Sequence, residues 1–381
     1  MSEQQVSRPT LSRGLLILLG SAAAVITLGG LRSVSEIVAP AFLALVLTIA
    51  AHPMRGWLMG RGFPGWLATV VTIAVVYVVL LGLALSLLVS VARLATLLPQ
   101  YREDISELVT NAADWLSGVG VSEEQIRTIA DTLDVGQLID LASGALSGLL
   151  GVLSDLFFIV TLLLFLAFDA AWFPGRLSLL EPDRGGLGQA LAAFASGTRR
   201  YLIVSTIFGL IVAILDVGLL YVLAIPLPLL WGLLAFISNY IPNIGFVIGL
   251  VPPAILGLLE SGLGGALAVI AGYCVLNVVI QSVIQPKFVG DAVGLSVSLT
   301  FLSVVFWAWV FGPLGALLAI PLSLFVKAFL VDADPSTRRR LVPLLSGADD
   351  EGSPRPHSDS ERGGQRLTQF QSYRQRFRTG G

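Results

Sequence analysis

Long apolar runs follow one another along this chain with almost no charge inside them, and that succession fixes the solvent in which it can fold. The runs cover residues 15–31, 34–51, 66–91, 149–168, 202–224, 229–259, 263–284 and 295–331. A helix rising 1.5 Å per residue needs about 20 residues to cross a hydrocarbon core about 30 Å thick. Most of the runs reach or exceed that length, and none alternates as a barrel strand would, so helices are the expected element. Composition agrees: 55% of residues are hydrophobic and 13% charged, with a mean hydropathy of +0.85. Soluble domains carry about 25% charge. A cytosolic globular enzyme, a disulfide-stapled secreted domain and a basic nucleic-acid binder are therefore excluded. The reading is an all-α polytopic helical membrane protein of about eight hydrophobic segments, its partner the lipid bilayer and not nucleic acid.

Charge gives orientation. Arg8 and Arg13 precede the first run, Arg55 and Arg61 follow the second, Arg176, Arg184, Arg199 and Arg200 lie between the fourth and fifth, and Arg338–Arg340 follow the last. The positive-inside bias makes these loops cytoplasmic and places both termini inside. Between the third and fourth runs lies a polar insert. From Arg93 to Asp140 it holds nine acidic residues against three basic ones, so it is expected outside. Pro99 suits a first helical turn there, and Ser122 with Gln125 forms a capping box. Arg8, Arg13 and the Ala22–Ala24 triplet resemble a signal peptide, but the apolar run continues to Leu31 and another follows at once, so a retained first helix is expected. The organisation is residues 1–92, three membrane helices; 93–148, a polar extracytoplasmic helical insert; 149–200, a fourth helix and cytoplasmic loop; 201–331, a transport core; 332–381, a disordered cytoplasmic tail.

Two runs are too long for simple helices, and both carry helix breakers. One holds Asn239-Tyr240-Ile241-Pro242-Asn243-Ile244-Gly245 and then Pro252-Pro253; the other holds Gly312-Pro313-Leu314-Gly315 and then Pro321. Each broken run follows a simpler span, 202–224 or 263–284, which suggests two span-plus-broken-element repeats. Backbone freed by proline or glycine cannot face lipid, so such breaks are expected to be buried or to line a wet cavity. If both breaks turn back as re-entrant hairpins, the repeats are inverted and six segments cross; if they continue, eight cross.

These residues, with Ala39-Pro40-Ala41-Phe42, His52-Pro53, Arg61-Gly62-Phe63-Pro64, Gln285-Pro286-Lys287-Phe288-Val289-Gly290 and Phe311–Gly315 through Ile320-Pro321, resemble in this order the AI-2E (autoinducer-2 exporter) family of bacterial inner-membrane permeases. The resemblance covers roughly residues 10–330. It implies about eight hydrophobic segments, a polar insert after the third, and transport of a small polar solute such as autoinducer-2; sodium–proton antiport is a second activity associated with the family.

Several polar residues stand where polarity is costly. Asp216 lies mid-span, where an acid costs about 2.5–3.5 kcal/mol, so it is expected to face the interior, either as a proton or cation carrier or as a hydrogen-bonded structural acid. Asn239 and Asn243 flank Pro242 and either face a solute or satisfy freed backbone. Asn277 and Gln281 share a helix face, as cavity lining or as polar glue. Lys287 and Asp291 bracket Gly290 at a boundary, as a gate or as a surface ion pair. The substrate or ion pathway is thus expected along Asp216, Asn239, Pro242, Asn243, Gly245, Asn277, Gln281, Pro286, Lys287, Gly290, Asp291, Gly312, Pro313, Gly315 and Pro321. Trp307 and Trp309 are expected at an interface or a lining. Gly144, Gly148 and Gly151 permit close helix approach and leave a homo-oligomer open. Glu260 reads as an interfacial loop acid.

The single Cys274 and two scattered histidines make neither a disulfide nor a zinc site, and no cofactor is expected. No phosphate-cradling Gly-rich loop ending in Lys-Ser/Thr occurs, which argues against direct use of ATP. An intramembrane enzyme would need paired carboxylates or a Ser/His dyad; a scaffold recruiting partners through the acidic insert is the remaining alternative.

Overall fold

The computed structural model describes residues 12–118, 185–285 and 296–332 together with stretches of 136–166. Ser122 with Gln125, residues 286–295 and the tail beyond 332 lie outside the described residues. Every described element is helical. The chain runs through α1 (Arg13–Ser33), α2 (Ser35–Gly60), α3 (Gly65–Leu97), a 3-10 turn (Leu98–Tyr101), α4 (Arg102–Gly118), α5 (Leu146–Leu166) and α6 (Gly185–Val222). It continues through α7 (Pro228–Ser238), α8 (Ile244–Asn277), a π-helical turn (Val278–Ile284), α9 (Val297–Leu317), α10 (Ala319–Lys327) and a second π-helical turn (Ala328–Asp332). By length and composition alone, six helices among the described residues are able to cross a membrane, although two of them, α8 and α9, fold back at an internal glycine. Their outward faces fit acyl chains: Val78 is 66% exposed, Ile214 62% and Val222 84%.

Local chemistry sets the ends. The Ser12 and Ser296 hydroxyls each accept an amide, from Leu15 and Leu299 at 3.3 Å, and so cap α1 and α9. Pro64 precedes α3 and Pro228 opens α7, positions where a missing amide costs nothing. Inside α2, Pro53 removes the amide that would bond the Ile49 carbonyl, and the Arg199 Nε of α6 donates to that carbonyl at 3.3 Å instead. At the far end, the Tyr101 hydroxyl reaches from the insert to the Glu260 carboxylate.

The core is made of helices that reverse. α7 and the first arm of α8 (244–261) form a hairpin: the Ile241 amide bonds the Ser238 carbonyl at 2.8 Å, and Gly249 backs onto Ala235. A second reversal occurs inside α8 at Gly262 (φ 65°, ψ −159°), and a third inside α9 at Gly312 (φ 67°, ψ −149°). That backbone region is essentially closed to any residue but glycine. After each pivot, residues eight apart, about 12 Å along a straight helix, come into contact. Gly265 meets Gly257, and Gly315 meets the Trp307 carbonyl. Ser303 Oγ bonds the Ala319 carbonyl at 3.2 Å and Trp307 Nε1 bonds Ser323 Oγ at 3.0 Å, which holds α9 against α10.

Both outer hairpins lean on α6, whose 38 residues make a rod about 57 Å long. The first starts beside Val222 and its tip reaches Tyr201, Ser205 and Thr206. The second returns along the other half: Ile320, Leu324 and Ala328 share a buried cluster with Tyr201, Phe194 and Ala190. The hairpins thus approach from opposite ends, and Ile241 and Ile244 at the first tip pack on the core of Trp307, Phe311 and Leu318 in the second.

Two expectations need correction. Pro252 and Pro253 do not interrupt their run; the helix passes through both, with Pro253 buried against its neighbours, because packing supports a turn that lacks two amides. Trp307 is no interface residue: it is 7% exposed, stacked on Phe311 at 5.7 Å, whereas Trp309 is 53% exposed beneath the Arg32 guanidinium.

Candidate functional site

The turn from Asn239 to Asn243 gathers polar groups where apolar helices meet. Asn243 adopts φ 64°, and at Gly245 an added Cβ would stand 1.8 Å from the Ser238 carbonyl, so only glycine lets the chain turn back this tightly. The turn is stitched to α6 and to the first π-helical turn. Tyr201 donates its hydroxyl to the Tyr240 carbonyl at 2.6 Å, and the Tyr240 and Thr206 hydroxyls lie 2.6 Å apart. Asn239 lies against Gly209 and donates to the Ser205 carbonyl at 2.9 Å, while Gln281 Nε2 donates to Asn239 Oδ1 at 2.8 Å. Asn239 thus bonds across helices, not to the backbone its own turn leaves open.

Behind this stitching lies a narrow cleft lined by Val212, Asp216, Ala235, Ser238, Asn239, Gly245, Phe246, Gly249, Tyr273, Asn277 and Gln281. Its free volume is about 20 Å³ for the centre of a water-sized sphere, enough for one water or one bare cation. Among the described residues no basic side chain lines it. Asp216 and Tyr273 are each 2% exposed, and among the described residues Asp216 Oδ1 and the Tyr273 hydroxyl have no hydrogen-bond partner. A buried polar atom left unpaired costs about 1–3 kcal/mol, and one water or one cation in the cleft serves both atoms.

Of the residues expected along the pathway, Asp216, Asn239, Gly245, Asn277 and Gln281 line this cleft, and Pro242 and Asn243 form the turn beside it. Gly312, Pro313, Gly315 and Pro321 belong to the second hairpin and do not line it: Gly312 is the pivot, Gly315 the close contact, and Pro321 is buried in the first turn of α10. Pro286, Lys287, Gly290 and Asp291 lie outside the described residues. Sequence reasoning missed Tyr273, Ser238 and the Tyr201–Tyr240–Thr206 clasp. Tyr273 carried a usable signal: with Asn277 and Gln281 it makes a stripe at intervals of four on an otherwise apolar helix.

The family description of AI-2E family transporters matches residues 15–333. The chain belongs to the AI-2E transporter family. The AI-2 transport protein TqsA of Escherichia coli (strain K12) is 30% identical over 319 residues, covering 83% of this chain and 92% of that protein. "Putative transport protein YhhT" of the same strain is 28% identical over 321 residues, covering 83% and 90%. A Haemophilus influenzae protein is 30% identical over 330 residues, covering 84% and 94%. Membership makes this AI-2E chain a transport protein of the membrane.

Proposed function

We propose that this chain is a secondary transporter of the bacterial inner membrane that moves a small polar solute of the autoinducer-2 type through the cleft at Asp216. The observation that carries this reading is the pair of buried, unpaired atoms, Asp216 Oδ1 and the Tyr273 hydroxyl, beside the amides of Asn239, Asn277 and Gln281. Carboxylate, phenol and amides together offer the donors and acceptors that a polyhydroxylated solute needs. The name of TqsA points to the same cargo. The cleft is far smaller than such a molecule, so loading requires the first hairpin to withdraw from α6, breaking the contacts at Asn239 and Tyr240. Opposed hairpins suit alternating access, with both termini cytoplasmic, six crossings and two re-entrant elements.

A second reading, cation–proton antiport, draws support from the same dimensions: one dehydrated cation beside one carboxylate fits the space as it stands. Reconstituted protein under an imposed pH gradient separates the two. Solute export predicts autoinducer-2 efflux that falls at least about tenfold in Asp216→Asn, as a transition-state interaction worth about 1.4 kcal/mol would. Antiport predicts Na⁺-dependent proton movement lost in the same variant. Movement of neither under any gradient supports a scaffold and ends both readings.

A further inference from the structure

Pro53 leaves the Ile49 carbonyl without its helical amide, and the repair has a consequence at the surface. Arg199 spends its Nε on that carbonyl, and Arg55 spends its Nε on Thr69 Oγ1 at 2.9 Å. Thr69 in turn donates to the Gly65 carbonyl, which fixes the acceptor that Arg55 uses. Both arginines are half-buried, each is oriented by its Nε bond, and among the described residues neither pairs with an acid. His52, exposed on α2, lies within electrostatic reach of both. Three nitrogen-bearing groups from two helices therefore stand within electrostatic range of one another with no counter-charge among the described residues, and the Nε bonds leave both terminal nitrogens of each arginine to serve another acceptor.

The surroundings set the depth. Trp57 and Trp66 are 55% and 63% exposed beside these groups in sequence, and Arg61 lies 3.8 Å over the Trp57 ring. Exposed tryptophans at the end of a membrane-length helix sit at headgroup level. A planar guanidinium edge matches two phosphate oxygens. We propose that the junction of α2 and α6 at His52, Arg55 and Arg199 binds the phosphate headgroup of one anionic phospholipid. The occupant is a lipid and not free phosphate because the aromatic belt places the groups inside the headgroup layer. The bias of basic loops assigns that layer to the cytoplasmic leaflet. The inference stands on the α2–α6 contact alone and holds whatever the cargo.

Native mass spectrometry of the full chain in mild detergent tests it, with phosphatidylglycerol titrated against phosphatidylcholine of the same acyl chains. Wild type retains one phosphatidylglycerol per chain about tenfold more tightly. Arg199→Gln also removes support from α2, so it is made in a Pro53→Ala background, where the restored amide serves Ile49. Pro53→Ala alone keeps the preference; Pro53→Ala/Arg199→Gln with Arg55→Gln loses it. His52→Asp, which breaks no hydrogen bond, loses it by placing a like charge before the phosphate. Equal retention of the two lipids by wild type, or a wild-type preference in the charge variants, overturns the proposal. Millimolar inorganic phosphate leaves the lipid bound; if phosphate alone displaces it and raises the melting temperature as phosphatidylglycerol does, the site is a phosphate site and the lipid assignment fails.

Discussion

Asn239→Ala isolates the contact that seats the first hairpin. The side chain donates to the Ser205 carbonyl and accepts from Gln281, so two hydrogen bonds vanish and one donor is orphaned. Side-chain hydrogen bonds inside membranes average about 0.6 kcal/mol and reach about 1.7, which brackets the loss between about 1 and 3 kcal/mol. The cleft next to Asn239 admits a water that can serve Gln281, which favours the lower half of that range. A loss of about 1–2 kcal/mol shifts the seated-to-withdrawn ratio about 5- to 30-fold and lowers the melting temperature by about 2–5 °C. The assay is a double-mutant cycle in detergent with Gln281→Leu. Removing both partners leaves no orphan, so the double variant is more stable than the sum of the single losses by about 0.5–1.5 kcal/mol. A melting temperature for Asn239→Ala equal to wild type, or a coupling of zero, refutes the seating argument.

Gly312→Ala meets no neighbour within 4 Å, so its cost is backbone strain alone, about 1–3 kcal/mol, and it lowers the melting temperature without loss of expression; an unchanged melting temperature removes the pivot from the account. Lys287→Cys in a Cys274→Ala background reacts with a membrane-impermeant thiol reagent only from the cytoplasmic side if the hairpins are re-entrant, and only from outside if eight segments cross. Tyr101→Phe removes the bond to Glu260 that ties the insert to the Gly262 reversal, and limited proteolysis of the insert quickens severalfold while the melting temperature changes by under about 2 °C.

What could be read from residues alone followed from physics that acts locally. Apolar runs located the helices, and the Pro242–Gly245 and Gly312–Gly315 clusters marked two real reversals because proline and glycine alter the backbone wherever they stand. Pro252-Pro253 misled for a tertiary reason: whether a proline breaks a helix depends on what its neighbours pack against, and only the fold supplies them. Glu260 reads from sequence as a loop acid and nothing marks Gly262 two residues on, since composition does not separate a loop from a one-residue pivot. Asp216, Asn239, Asn277 and Gln281 stood out through their cost in lipid. That cost says a polar group faces inward and not which neighbour it meets; Gly312 and Pro313, grouped with them in the sequence, stand in the other hairpin and not along this cleft.

The pivots at Gly262 and Gly312 join their arms through a single residue, with no slack between them. Such a joint pins the two limbs together at the bend, yet rotation about its φ and ψ lets each limb swing, so opening at the far tip needs only one residue to turn. A tag or protease site inserted at either bend would lengthen the joint and uncouple the limbs it holds.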